Sequence, residues 1–467
     1  MSKNYGIAVL GGGPGGYVAA IRAAQLGFKT VVIDKDNLGG ICLNWGCIPT
    51  KSLLKNAEMI DFMKNHSKDF GLTVGDFSFD FDKIIKRSRG ISDRISKNVE
   101  FLMKKNNIDR IRGYGIFRDK HNLDILDDKG KTFETIQADK IIIATGASPK
   151  SILSIPIDRK NIITSSEAMN LPKQPKDMII IGAGAIGVEF AYFYSVLGTK
   201  VTLIEMLDSI LPIEDKEVSA LLEKNFKKRG IEVYTKTKVE KAEVKSGKVN
   251  VAIEKEGEKQ TLSAEIVLNA IGVSGNITGY GLEELGIEIE KGHIKVNKDI
   301  YQTNVENIYA IGDVIGPPWL AHVASAEGIH CVEKLKGLNP PAINYGSVPG
   351  CTYCQPQVAS IGLTEEKARG MGYEVRIGKF PFMASGKAFA IGEREGFVKI
   401  IFDNNYGELL GAHIIGSEAT ELIAEIGLAK ALEADFESIV KTIHAHPTLS
   451  ESVMEAAANA YGEAIHI

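Results

Sequence analysis

A glycine turn set between an apolar strand and a helix occurs twice in this chain, and that duplication restricts the fold more than any other feature. The first copy runs Ile7-Ala8-Val9-Leu10, Gly11-Gly12-Gly13-Pro14-Gly15-Gly16, a helical run from Tyr17 to Leu26, and Val31-Val32-Ile33 closing on Asp34. The second runs Met178-Ile179-Ile180-Ile181, Gly182-Ala183-Gly184-Ala185-Ile186-Gly187, a helix through Val196, and Val201-Thr202-Leu203-Ile204 closing on Glu205. In each copy the acid stands 23 residues beyond the first glycine. Gly11, Gly13 and Gly16, like Gly182, Gly184 and Gly187, have separate tasks: a tight turn, close approach of backbone to a pyrophosphate, and close packing of helix on strand. The helix N-terminus offers free N–H groups to an anion, and the terminal acid accepts from ribose hydroxyls. One such pattern is weak; two complete copies predict two bound dinucleotides. Glu205 would repel a 2′-phosphate, and Met206-Leu207-Asp208 follow it in place of Arg or Lys, so the second site is expected to prefer NAD over NADP.

The 467 residues suggest about three domains. With 44% hydrophobic and 24% charged residues the balance is that of an ordinary globular protein. A net charge of −4 and scattered lysines provide no field for nucleic acid. Few residues precede the first strand, which leaves no room for a signal peptide, and no apolar run approaches the ~20 residues of a membrane span. A cytoplasmic chain without membrane insertion is expected. Five cysteines are too few for a disulfide-stapled scaffold, so any disulfide is expected to be catalytic.

Two of those cysteines lie in Leu38-Gly39-Gly40-Ile41-Cys42-Leu43-Asn44-Trp45-Gly46-Cys47-Ile48-Pro49-Thr50-Lys51. In one regular helix their Cα atoms would be roughly 8–9 Å apart, beyond the ~7 Å limit for a bridge. A bridge therefore requires a backbone distortion, which Gly46 would ease, and a strained bridge reduces readily. Two buried thiols or half a metal site are the alternatives, though no second cysteine pair at zinc-like spacing lies nearby. No metal site is expected.

The run Gly39-Gly40-x-Cys42-x-Asn44-x-Gly46-Cys47-Ile48-Pro49-x-Lys51 resembles the active-site signature of the class I pyridine nucleotide-disulfide oxidoreductases. Other family marks cover nearly the whole chain: Ile141-Ile142-Ile143-Ala144-Thr145-Gly146, Ile308-Tyr309-Ala310-Ile311-Gly312-Asp313, and Trp319-Leu320-Ala321-His322. The resemblance implies an α/β chain with two Rossmann-like dinucleotide-binding domains, for FAD and NAD, and a C-terminal α+β dimerisation domain. It places the first part of the FAD domain at 1–147, the NAD domain at 148–276, a central segment completing the FAD domain at 277–343, and the interface domain at 344–467. It assigns Asp34, Lys51, Gly115, Thr145, Gly146, Asp313, Ala321 and His322 to FAD beside the first glycine turn. To NAD it assigns Glu189, Glu205, Val239 and Gly272 beside the second. Lys51 is expected near the flavin N5, paired with Glu189.

The C-terminal His444-Ala445-His446-Pro447-Thr448-Leu449-Ser450-Glu451 resembles the dihydrolipoamide-oxidising branch more closely than glutathione or trypanothione reductases, and the mercuric-reductase cysteine pair is absent. His446 can take a proton from a dithiol, with Glu451 orienting its ring; His444 is read as a packing or hydrogen-bonding residue. The resemblance further implies a homodimer, in which the histidine completes the partner's site. Cys42 would be the interchange thiol and Cys47 the thiolate next to the flavin. Its partners would be the lipoyl domains of 2-oxoacid dehydrogenase or glycine cleavage complexes. Two features depart from this pattern or stand outside it. The family's arginine is missing from Ile271-Gly272-Val273-Ser274-Gly275-Asn276, and Cys351-Thr352-Tyr353-Cys354 is read as interface strand residues rather than a second redox or zinc pair.

Overall fold

A computed structural model describes residues 3–467, and the chain divides into two units. The first comprises the residues up to Ser52, Asp82–Lys150 and Gly272–Ile343. Its sheet has the spatial order Asp109–Arg112, Thr30–Asp34, Lys3–Leu10, Thr132–Ile143, Asn122–Leu126 and Tyr114–Phe117, with Ile308–Ala310 also paired to Thr132–Ile143. Leu10 registers with Ile33 and Ile143, and Ile143 with Ala310, so the carboxyl ends of four parallel strands lie level. Ligands of such sheets bind beyond those ends. Alternate residues serve opposite faces. Ile7, Val9, Val32 and Ile142 pack with Ala19, Ala20 and Ala23 of helix α1 (Pro14–Gln25), while Ala8, Leu10, Val31, Ile33, Ile141 and Ile143 form a separate core with Leu282, Ile287 and Ile294. Burial on both faces is why these strands read as continuous apolar runs.

The second unit comprises Leu53–Phe81, Ser151–Ile271 and Asn344–Ile467. It contains a parallel sheet of order Glu232–Tyr234, Lys200–Ile204, Asp177–Ile181, Ile266–Asn269 and Ile162–Ile163. Here Ile181 registers with Ile204 and Asn269, repeating the level strand ends of the first unit. An antiparallel sheet of Gly350–Thr352, Gln357–Gly362, Leu409–Gly416, Phe397–Asp403 and Val375–Pro381 is covered by helices Ala419–Ala431 and Glu451–Asn459. The α/β class with an α+β C-terminal part is thus borne out. Cys351 is a strand residue as expected, but Cys354 lies in the following turn, where its thiol donates to Pro356 O at 3.2 Å. Among the described residues no helix is long and apolar enough to cross a membrane.

A charge cluster around a buried lysine also lies in this unit. Lys399, 2% exposed, reaches Asp215 at 3.1 Å, Glu217 at 3.1 Å and Glu365 at 2.8 Å. Glu214 beside it is pushed up to about 7 by burial, against the Ser360 hydroxyl and the Lys367 charge, and its Oε2 has no partner. The folded protein holds a proton there that the unfolded chain releases, so this group's contribution to stability falls as pH rises from about 4.5 to about 7. Glu214→Gln is expected to flatten that slope and to stabilise the protein at pH 8 by on the order of 3 kcal/mol, with little change near pH 4.5. Thermal unfolding at the two pH values checks this, and a uniform loss at both would contradict it.

Candidate active site

The two glycine turns are built alike in atomic detail. Gly11 and Gly182 take φ +109° and +99°, a region open to glycine at no steric cost. A Cβ on Gly16 would lie 1.9 Å from Gly11 O, and one on Gly187 1.9 Å from Gly182 O. The helices that follow, α1 and Ala185–Leu197, have glycine N-caps with φ −69° and −71° and no side-chain cap, so their first N–H groups are left for an anion. Asp34 accepts from Gly12 N–H at 2.6 Å and from Asp36 N–H at 2.9 Å; Glu205 accepts from Ala183 N–H at 2.7 Å and Leu207 N–H at 2.9 Å. Each acid therefore ties its strand to its own glycine turn. Gly187→Ala is expected to force the helix off the strand, at a cost of ~1–3 kcal/mol. NADH binding should weaken while flavin content persists, which titration and visible absorbance would show.

The dithiol follows from a break between helices. Helix α2 (Gly40–Trp45) ends at Gly46, whose φ/ψ of −148°/−113° is non-helical, and α3 (Cys47–Asp61) starts immediately after it. The break supplies the distortion a single helix could not, and the Cys42 and Cys47 side chains meet in a hydrogen bond. That bond to Cys47, with burial second, drives the Cys42 thiol far up, while the Lys51 charge pulls it down. Cys47 stands at the N-terminus of the 15-residue α3, a position that favours an anion. The segment also abuts the first glycine turn: Gly39 N–H donates to Gly12 O at 2.8 Å, and a Cβ on Gly40 would lie 2.6 Å from Gly13 Cα.

The remaining FAD positions lie in the same unit. Gly115 faces Leu10, where a Cβ would come within 2.6 Å of Cδ1. Thr145 Oγ1 donates to Asn276 O at 2.8 Å, Asn276 Nδ2 returns a bond to Thr145 O at 2.9 Å, and Asn276 N–H donates to Gly146 O at 2.9 Å. Gly272 adjoins this link through its carbonyl, which accepts from Lys150 N–H at 2.9 Å. Asp313 lies in the 3-10 turn Gly312–Ile315, just beyond the strand ends, and burial pushes its carboxyl up to about 6. A desolvated carboxyl at that position suits a polyol hydroxyl, and the uncapped glycine turn suits a pyrophosphate, so these residues fit FAD. Ala321 opens helix Ala321–Leu335, with His322 next to it.

In the second unit Glu189 is buried on helix Ala185–Leu197 and accepts from Tyr353 N–H at 3.0 Å. Val239 lies in strand Thr237–Lys245. His446 is 78% exposed; its Nδ1 is 2.8 Å from Glu451 Oε1, while Glu451 Oε2 accepts from Thr448 N–H at 2.8 Å. Burial raises the Glu451 carboxyl, but Thr448 N–H and the His446 ring outweigh it and hold the group below the usual carboxylate range. The His444 side chain is 6% exposed, its ring spanning Glu425 Oε1 at 2.6 Å and Thr442 O at 2.9 Å.

The family model for pyridine nucleotide-disulphide oxidoreductases matches residues 5–328, and that for their dimerisation domain matches 348–457. The chain belongs to the pyridine nucleotide-disulphide oxidoreductases. It is 46% identical to the dihydrolipoyl dehydrogenase of Rhizobium etli and 45% identical to that of Bacillus subtilis, over the whole of both chains in each case. Among solved structures it is similar to LpdA from Mycobacterium tuberculosis, with a TM-score of 0.90 at 27% identity over 97% of this chain and 99% of that one. It is also similar to the HOCl-induced flavoprotein disulfide reductase RclA from Escherichia coli, with a TM-score of 0.87 at 26% identity over 98% and 99%.

What the motifs of this pyridine nucleotide-disulphide oxidoreductase did not reveal is the support beneath the dithiol. Helix α4 (Phe81–Lys105) holds it with Ser88 Oγ on Pro49 O at 2.8 Å, Ser96 Oγ on Leu38 O at 2.7 Å, and Arg89 Nη1 on Asn44 O at 2.5 Å. Ser92, on the same face, is buried with its Oγ unpartnered. The available signal was serine at 88, 92 and 96, one polar stripe at helical spacing.

Proposed function

We propose that the chain oxidises protein-bound dihydrolipoyl groups to the cyclic disulfide with reduction of NAD, using FAD as its resident flavin. The observation that carries this reading is the meeting of the Cys42 and Cys47 thiols across the break at Gly46, against the first glycine turn. His446, held by Glu451, takes a proton from the substrate dithiol. The resulting thiolate attacks Cys42, the substrate–Cys42 bond forms as Cys42–Cys47 breaks, and the electron pair leaves on Cys47. The second substrate thiol then attacks the substrate sulfur bonded to Cys42, closing the cyclic disulfide as that bond breaks, and its proton passes to the freed Cys42. Lys51, by its charge, favours the Cys47 thiolate. When bound, FAD supplies a two-electron acceptor between that thiolate and NAD.

The four-part division at 147, 276 and 343 is part of the same reading. So are a cytoplasmic homodimer, in which exposed His446 serves the partner's dithiol, and docking to lipoyl domains of 2-oxoacid dehydrogenase or glycine cleavage complexes. The dimerisation-domain match over 348–457, which includes His446 and Glu451, supports the dimer. The test is an anaerobic assay of the yellow protein with dihydrolipoamide and NAD, beside NADP, oxidised glutathione and Hg(II). Rapid turnover confined to dihydrolipoamide and NAD is expected; its absence from a protein that NADH reduces would overturn the substrate.

A further inference from the structure

Breaking a disulfide takes two sulfurs from about 2.05 Å to beyond van der Waals contact. The stretch between them must follow or hold. Here it is short and contains the non-helical Gly46, and α2 is too brief to resist by its own hydrogen bonds. Its N-terminal side is tied by Asn44, whose Nδ2 donates to Gly40 O at 3.0 Å and Leu38 O at 3.1 Å. Its C-terminal side is tied from α4. Arg89 donates to the Asn44 carbonyl at 2.5 Å, and its guanidinium covers the Trp45 ring at 4.0 Å from the centroid. A cation at the carboxyl end of a helix is favoured, and a guanidinium can donate in its plane while stacking through its face. Trp45 remains 39% exposed, so burial alone does not fix it.

We infer that Arg89 is a positioning residue for disulfide exchange: by gripping the Asn44 carbonyl and the Trp45 ring together, it holds Cys42 in line as its bond to Cys47 opens and closes. This rests on the reading of Cys42–Cys47 as the redox pair. An ammonium could bond the carbonyl or face the ring but not hold both planes, so lysine is not expected to substitute.

The test compares Arg89→Lys and Arg89→Met with the wild-type holoenzyme. Rapid reduction of the dithiol centre by dihydrolipoamide, and by dithiothreitol as a plain dithiol, should slow roughly 10- to 100-fold in both variants. Reduction of ferricyanide by NADH, which draws on the flavin without the dithiol, should be unchanged. Exchange at the wild-type rate in Arg89→Lys would show that charge alone suffices and overturn the inference. A parallel loss of ferricyanide reduction would do the same by marking a general structural role. If the wild type accepts dithiothreitol but not dihydrolipoamide, the substrate reading fails, and the dithiothreitol arm still decides the role of Arg89.

Discussion

Replacement of Cys47 by serine is expected to abolish both dihydrolipoamide turnover and the long-wavelength absorbance of a thiolate lying against flavin, whereas Cys42→Ser abolishes turnover but keeps the band. In the proposed mechanism Cys47 is the thiolate beside the flavin, and its place at the N-terminus of α3 favours that charge. Each variant should lose at least about a thousandfold in kcat, since neither can complete the exchange. Spectra of the two variants with the flavin oxidised separate the roles, and a band that survives in Cys47→Ser would reverse the assignment.

The second large effect is at His446. With its ring replaced by glutamine, the substrate dithiol must lose its proton to water, and kcat should fall roughly 100- to 10,000-fold. Glu451→Gln should cost less, about tenfold, because the base remains and only its orientation and charge support are lost. Since Thr448 N–H and the ring hold the Glu451 carboxyl low despite burial, that support persists into mildly acidic solution, and protonation of Glu451 should not limit turnover near pH 5. Parallel pH–rate profiles of both variants provide the check. Wild-type kcat in His446→Gln with retained NADH-to-flavin reduction would remove the histidine from the mechanism.

The parts of this site that could be read from the sequence are those whose chemistry is local. A glycine turn needs its glycines in a row and its acid at the end of the next strand, so Gly11 to Asp34 and Gly182 to Glu205 stood out, and the structure closes each with the same pair of backbone bonds. The cysteine spacing pointed to a distortion, and Gly46 provides it. Arg89 was not legible, because it meets the dithiol segment from 45 residues away through a hydrogen bond that leaves no period in the sequence, whereas Ser88 and Ser96 showed only as part of a polar stripe that named no partner. Asn276 was not legible for a related reason: its reciprocal bonds to Thr145 join two strand ends 131 residues apart.

The carboxylates that close the glycine turns bear on how such an enzyme could change cofactor. Glu205 has one oxygen on Ala183 N–H and the other on Leu207 N–H, with further lone pairs left for a ribose. The group proposed to read the ribose is therefore also a brace of its own glycine turn. An exchange of Glu205 for a residue tolerant of a 2′-phosphate removes the brace together with the repulsion. A switch to NADP thus has to pass through a loosened turn unless a second substitution first ties Ala183 and Leu207 in another way, and the route between the two cofactors is correspondingly narrow.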